Sequence, residues 1–286
     1  MKKFLAITFI FVLMFIGCYS QSSIIDSLKT HFDFENGLYY EKDIPDSFNP
    51  TIYTIDNKVY TLNKTFFFDY FIVKEDDTLK SKNLFEKLDR NTESLEQPID
   101  QKKIWELVPY KLDEEDVIET ISIQVLNGFN DTQTIIEYKY YNKNNTEFDY
   151  SSSSGLVENV INTWLHPFRD GCFFILQFNP FPFIQQPFEI GNKWTWKLLY
   201  GGNGGNNRWI TWTGSVENNY TYEIIAKEKL QTKLGELNCW VINSFCKSKL
   251  GQTELLAYYN ETYGFVKLEY TNIDKSRLII KIKDIK

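Results

Sequence analysis

Residues 220–227 read YTYEIIAK, 237–245 LNCWVINSF, 253–259 TELLAYY, 265–270 FVKLEY and 277–282 RLIIKI. Each run is strand-length and built from aromatic and β-branched residues. Between them lie Leu234-Gly235, Leu250-Gly251, Tyr263-Gly264 and Asn272, all turn chemistry. Parallel crossovers need a dozen or more residues, so these short connections predict an antiparallel meander. Two further strands precede it, 194–200 and 208–216, separated by Gly201-Gly202-Asn203-Gly204-Gly205, with Asn218-Asn219 as the next break. A long twisted meander curls to protect its edges. The expected fold is mainly β: a curved antiparallel meander forming a roll or partly open barrel, packed on one amphipathic helix.

That helix is predicted from Leu156, Val157, Val160, Ile161, Trp164 and Leu165, which recur at helical spacing. Ser153 or Ser154 can cap its start and Pro167 limits its end. Residues 21–49 read as a covering arm, 51–62 and 65–73 as strands, and 74–101 as a charged loop with a short helix near 84–88. Residues 117–126 and 132–141 read as a hairpin across Asn127-Gly128-Phe129-Asn130-Asp131. Residues 172–178 read as a strand, followed by a linker held extended by Pro180, Pro182 and Pro187.

The N-terminus sets the expected address. Met1-Lys2-Lys3 is followed by an apolar run from Phe4 to Ile16, broken only by Thr8. That is a secretory leader, too short to span a bilayer. Residues 1–20 are expected to be a signal peptide, or a lipoprotein signal ending at residue 17 with acylation of Cys18. Phe15-Ile16-Gly17-Cys18 resembles a lipobox, and cleavage after Ser20 is the rival. Residues 21–286 are then one β-rich domain, its C-terminal meander running from about 189 to 283. Loss of Lys2 and Lys3 moves the formal net charge from −7 to −9. An acidic chain without a basic block excludes nucleic acid as a partner and leaves a lipid anchor as the only membrane attachment.

The order Gly191-x-x-Trp194, Tyr222-Glu223-Ile224, Glu228-x-x-x-Thr232-x-x-Gly235-x-Leu237-x-Cys239 and Tyr258-Tyr259-x-x-x-x-Gly264-Phe265-Val266-Lys267 resembles exported bacterial β-roll proteins of a domain-of-unknown-function family. The resemblance covers 189–283. It implies a curved antiparallel sheet wrapped on itself or around a helix, and it carries over no catalytic residue.

Chemistry-bearing motifs are few. The two histidines, His31 and His166, allow neither a His-Glu-x-x-His site nor a His/Cys zinc cluster. No cofactor and no metal site is expected. His166, Arg169 and Asp170 form the most reactive-looking loop, an acid/base pair beside an anion-binding guanidinium, or else a helix-ending loop tied by an Arg–Asp contact. The Gly-rich run 201–207 lacks the Lys-Ser/Thr of a phosphate loop and reads as a hairpin tip. Besides Cys18 the chain has Cys172, Cys239 and Cys246. One disulfide is possible, Cys239–Cys246 or Cys172 with either, and small buried apolar residues are the alternative.

Aromatic residues make up 17% of the chain. Trp194, Trp196, Trp209, Trp212 and Tyr200 cluster around one expected hairpin, where they either pack the core or line a ligand site. Trp194 and Trp196 share a face, and Trp209 and Trp212 have opposite parity, so one of these two should face outward. The expectation is a non-enzymatic exported or lipid-anchored protein of the cell envelope, or a secreted one, that binds a ligand or an envelope partner. A hydrolase acting on an extracellular polymer and a structural envelope component are the alternatives.

Overall fold

A computed structural model describes residues 25, 27–41, 57–87, 101–127, 133–149 and 151–286. The leader, Cys18, residues 51–56, Leu88 and most of the 127–131 turn lie outside them. A separate hairpin comes first, β1 (Phe32–Glu35) with β2 (Leu38–Glu41). Then follow β3 (Thr65–Lys74), β4 (Asp77–Lys87), β5 (Gln101–Pro109), β6 (Thr120–Leu126), β7 (Thr134–Tyr141), β8 (Ser152–Glu158) and β9 (Asn162–Leu165). A 3-10 helix spans Gly171–Phe178 and leads into β10 (Phe183–Gln185) and β11 (Lys193–Tyr200). The short β12 (Gly204–Asn206) and β13 (Ile210–Trp212) precede the meander of β14 (Val216–Thr232), β15 (Gly235–Ser248), β16 (Gly251–Asn260), β17 (Gly264–Thr271) and β18 (Arg277–Ile285).

Fourteen of these strands form one antiparallel sheet, in the order β10-β9-β8-β7-β6-β3-β18-β17-β16-β15-β14-β11, with β4 and β5 branching from β3. The predicted meander is present as consecutive hairpins, and β18 joins it to β3 of the N-terminal half. The two ends of the sheet curl toward each other. Their seam is bridged by rings: Trp164 on β9 meets Trp196 on β11 at 5.5 Å, and Phe183 on β10 meets Trp194 at 5.8 Å. The β1–β2 hairpin lies over that seam. Lys197 N donates to Asn36 O (3.1 Å), the Gln185 side chain to Gly37 O (2.7 Å), and Tyr39 N to the Asn162 side chain (3.0 Å). The covering arm expected upstream is thus, in its described part, a short helical stretch at residues 27–29 followed by a hairpin.

Alternation explains the interior. Along β3 and β7 every second residue is buried, which sends Phe66, Phe68, Tyr70, Tyr138 and Tyr140 inward. Phe68 and Tyr138 meet Phe168, and Tyr70 (5.0 Å) and Tyr140 meet Phe173; the Phe168 and Phe173 rings lie 5.8 Å apart. The segment filling the roll is therefore the 3-10 helix Gly171–Phe178.

That corrects two expectations. Residues 156–165 are a hairpin, not a helix: Asn159 Oδ1 accepts hydrogen bonds from Ile161 N and Asn162 N at the turn, and Val157 pairs with Trp164. Pairs of apolar residues four apart also fit two strands buried on both faces and joined by an exposed Val160. Residues 172–178, expected as a strand, are the helical turn, entered through Gly171 at φ +53°. Three further corrections follow. The expected helix near 84–88 is strand as far as Lys87. Residues 57–62 form no strand. Of 208–216 only Ile210–Trp212 and Val216, the first residue of β14, are strand; Ile210–Trp212 pairs with β12, whereas β11 pairs with β14. Long β14 offers β11 an eight-pair ladder, and Asn218-Asn219 continues it rather than breaking it.

Cys172, Cys239 and Cys246 are all free and buried. Cys239 and Cys246 sit on one strand, seven residues apart, about 23 Å at strand rise, far beyond the reach of a disulfide.

The distal part of the β14–β15 hairpin behaves differently from the rest. Beyond a bulge at Ile224/Ala226 the strand pair outruns β16, whose pairing with β15 begins at Trp240. Buried positions on β15 switch from Ile242, Ser244 and Cys246 to Val241, Cys239 and Leu237. Lys233 at the tip pairs with Asp69 on β3. In the plane of the sheet β3 lies five strands from β14, about 24 Å away. The arm therefore folds back over the outer face of β16–β18, and the bulge turns its apolar side toward that face.

Candidate functional site

The five aromatics singled out in the sequence divide into two groups. Trp194 and Trp196 point inward from β11 and are buried. Each stacks on the residue opposite it on β14: Trp194 on Tyr222 (5.4 Å, 1°) and Trp196 on Tyr220 (4.9 Å, 17°). Burial holds both tyrosine hydroxyls well above their usual pKa, so the stack is uncharged.

Tyr200, Trp209 and Trp212 gather instead around Phe178, with ring centroids at 6.0, 6.1 and 5.0 Å. Trp209 also stacks on Phe174 at 5.6 Å. Both tryptophans are half-buried, so neither faces fully outward as their parity implied. The Gly-rich run is ordered under them. The Trp212 ring lies against Gly204, where any side chain would collide with it. Arg208 lies 4.0 Å over the Trp105 ring and donates to the Trp105 carbonyl (2.6 Å). Each ring of this cap is covered by another.

The polar loop is occupied by its own neighbours. His166 Nδ1 lies 2.8 Å from Pro167 O, and the imidazole packs on Phe181 at 4.8 Å. Burial pushes its pKa down to about 4, the Pro167 contact opposing and Arg169 adding slightly. The ring is neutral near pH 7. Asp170 Oδ2 accepts hydrogen bonds from Tyr140 (2.7 Å) and Ser152, and Arg169 is exposed. The imidazole and the carboxylate thus each serve a different neighbour.

Among the described residues, two depressions on the outer face of the sheet stand out. One, of about 520 Å³, lies on β11, β14 and β15. The register sets its outward side chains in two rows, Lys193–Glu223–Asn243 and Thr195–Thr221–Phe245. This shelf carries two hydroxyls, an amide, the half-buried ring of Phe245 and an ion pair, Lys193–Glu223 at 3.1 Å. Glu223 is its one carboxylate. The β1–β2 turn borders it, since Gly37 lies against the Thr195 carbonyl. Sequence reasoning passed over Thr195, Thr221, Asn243 and Phe245. Their signal was their shared outward parity on three neighbouring strands. The second depression, of about 410 Å³, lies under the folded-back arm.

No protein-family model and no curated protein matches this chain. Among the solved structures that superpose on it are three of similar architecture. One, from Bacteroides fragilis, is of a protein inferred to be exported, with a YmcC-like fold (10% identity, TM-score 0.42, 80% of this chain and 97% of that one). A second, from Parabacteroides distasonis, is of a protein inferred to be a lipoprotein (11%, 0.42, the same coverage). The third is the hypothetical lipoprotein YmcC of Escherichia coli (11%, 0.32, 85% and 97%). Superpositions this loose carry no argument about what this chain does.

Proposed function

We propose that the chain is a non-catalytic exported protein that binds a polyhydroxylated, saccharide-like ligand on the shelf of β11, β14 and β15. The observation that carries this reading is the composition of the shelf. Hydroxyls of Thr195 and Thr221 and the amide of Asn243 stand on adjacent strands about 5 Å apart. That spacing suits the alternating donors and acceptors of a sugar ring, and the Phe245 ring offers an apolar face for its C–H bonds. Polymer hydrolysis, the other reading, needs two carboxylates at roughly 5–9.5 Å. Glu223 is the shelf's one carboxylate and is paired with Lys193. The interior of the roll is taken by the protein's own rings, which also favours an outer surface for binding.

The test is isothermal titration with solubilised peptidoglycan fragments and with a neutral soluble polysaccharide, with product release followed in parallel. Phe245→Ala should weaken binding at least tenfold, about 1.4 kcal/mol, and leave the melting temperature within a few degrees. Binding of neither probe would overturn the saccharide reading. Release of reducing ends that Glu223→Gln abolishes would overturn the non-catalytic one.

A further inference from the structure

The depression under the arm is chemically unlike the shelf. Its floor is the outer face of β17, β18 and β3, and its roof is the arm tip, Leu230 to Lys233. One register row crosses the floor: Tyr258 on β16, Lys267 on β17, Lys281 on β18 and Asp69 on β3. Lys267 and Lys281 are therefore directly opposite each other, a like-charge pair that disfavours the sheet unless something neutralises it.

The neutralisation within the fold is incomplete. Asp69 is shared by Lys233 from the arm and Lys283 (3.5 Å). Lys267 pairs with Glu269 and lies 4.7 Å over the Tyr258 ring. Lys281 sits 5.3 Å over the Phe71 ring and pairs with no carboxylate among the described residues. The lining holds three lysines against one carboxylate in a chain that is acidic overall. Beside these charges the walls are apolar, with half-buried Leu230 above and buried Val266 below.

We infer that this cleft binds an amphipathic monoanion, a carboxylate bearing a short alkyl chain, with the carboxylate between Lys267 and Lys281 and the chain against Leu230 and Val266. Lys281 has no carboxylate partner among the described residues and Asp69 is divided between two lysines, so the floor carries an excess of positive charge that an anion would offset. A volume of about 410 Å³ falls in the range of small-ligand sites. The arm supplies the roof, held down by the Lys233–Asp69 pair, so the alkyl chain is covered while the carboxylate meets the cations at the strand surface. This inference does not depend on the saccharide reading, because the two sites share no residue.

The probe is sodium octanoate below its micelle concentration, titrated calorimetrically into the full chain, with 1-octanol and sodium acetate as the two halves of the ligand. Octanoate should bind at least tenfold more tightly than either half. Lys281→Met should weaken octanoate at least tenfold, and Phe245→Ala in the other depression should leave it unchanged. Equal binding of octanol and octanoate would reduce the site to apolar adsorption and overturn the proposal, as would wild-type affinity in Lys281→Met. Loss of octanoate binding in Phe245→Ala would place the ligand elsewhere and also overturn it. Lys281→Met lies on an exposed position, and an unchanged melting temperature checks that it folds.

Discussion

Glu158 shows at the scale of one residue how a buried charge can order a segment that has no regular structure. Only 6% of it is exposed. Its carboxylate accepts backbone N–H bonds from Lys58 (3.0 Å), Val59 (2.9 Å) and Tyr60 (2.9 Å). Those three amides precede β3 and have no ladder to join, and a buried N–H without an acceptor is costly. The loop so held places Tyr60 against Phe66 at 4.8 Å, with its hydroxyl accepting from Phe265 N at 3.0 Å. One carboxylate thereby ties the start of the sheet to β17. Glu158→Ala should cost about 2–4 kcal/mol, because several donors are left buried and unpaired. Glu158→Gln, which keeps the volume but turns an N–H₂ group toward some of the donors, should recover only part of this. The urea midpoints of the two variants provide the check, and a wild-type midpoint in Glu158→Ala would show that the loop does not rely on the carboxylate.

At the scale of elements, two hairpins do work that strand pairing alone does not. The arm of β14–β15 covers the outer face of the meander, and β1–β2 covers the seam between β9–β10 and β11. The second depends on a glycine. Gly37 has φ +109°, and a side chain there would overlap the Thr195 carbonyl oxygen of β11. Gly37→Ala should lift the hairpin off the seam, a destabilisation of about 1–3 kcal/mol from strain and lost contacts. Its specific mark is amide hydrogen exchange at Lys197 and Tyr39, whose N–H groups bond to Asn36 O and Asn162 Oδ1. Both should lose protection while β16 and β17 keep theirs. Unchanged protection at both amides would mean the hairpin is held by other contacts.

For the whole molecule, address and architecture are separate problems. The sheet, its aromatic filling and its two outer depressions belong to residues after 25, whereas the expected address rests on residues 1–20. The basic start, the apolar run and Cys18 at its end predict an acylated N-terminal Cys18. Intact-mass analysis of the mature protein decides between that and a free N-terminus at Gln21. An unmodified chain beginning at Gln21 would dismiss the lipid anchor and leave plain export.

What could be read from the sequence alone was local. The strands of the meander follow from short alternating runs set off by Gly and Asn, a signal carried within a few residues. Their antiparallel order follows from connections too short for anything else. The paired faces of Trp194 and Trp196 follow from strand parity. Tertiary structure decided which segment fills the roll, because the spacing of Leu156, Val157, Val160, Ile161, Trp164 and Leu165 fits a helix and a two-sided hairpin equally. It also decided that β11 pairs with β14, a choice between two neighbours with similar composition. The two depressions were illegible for the same reason. Thr195, Thr221 and Phe245 become neighbours only through register, and Lys233 meets Asp69 only because a one-residue bulge at Ile224/Ala226 turns the arm back across the sheet. Register and bulges are settled by contacts between distant residues, and a sequence read a few residues at a time does not contain them.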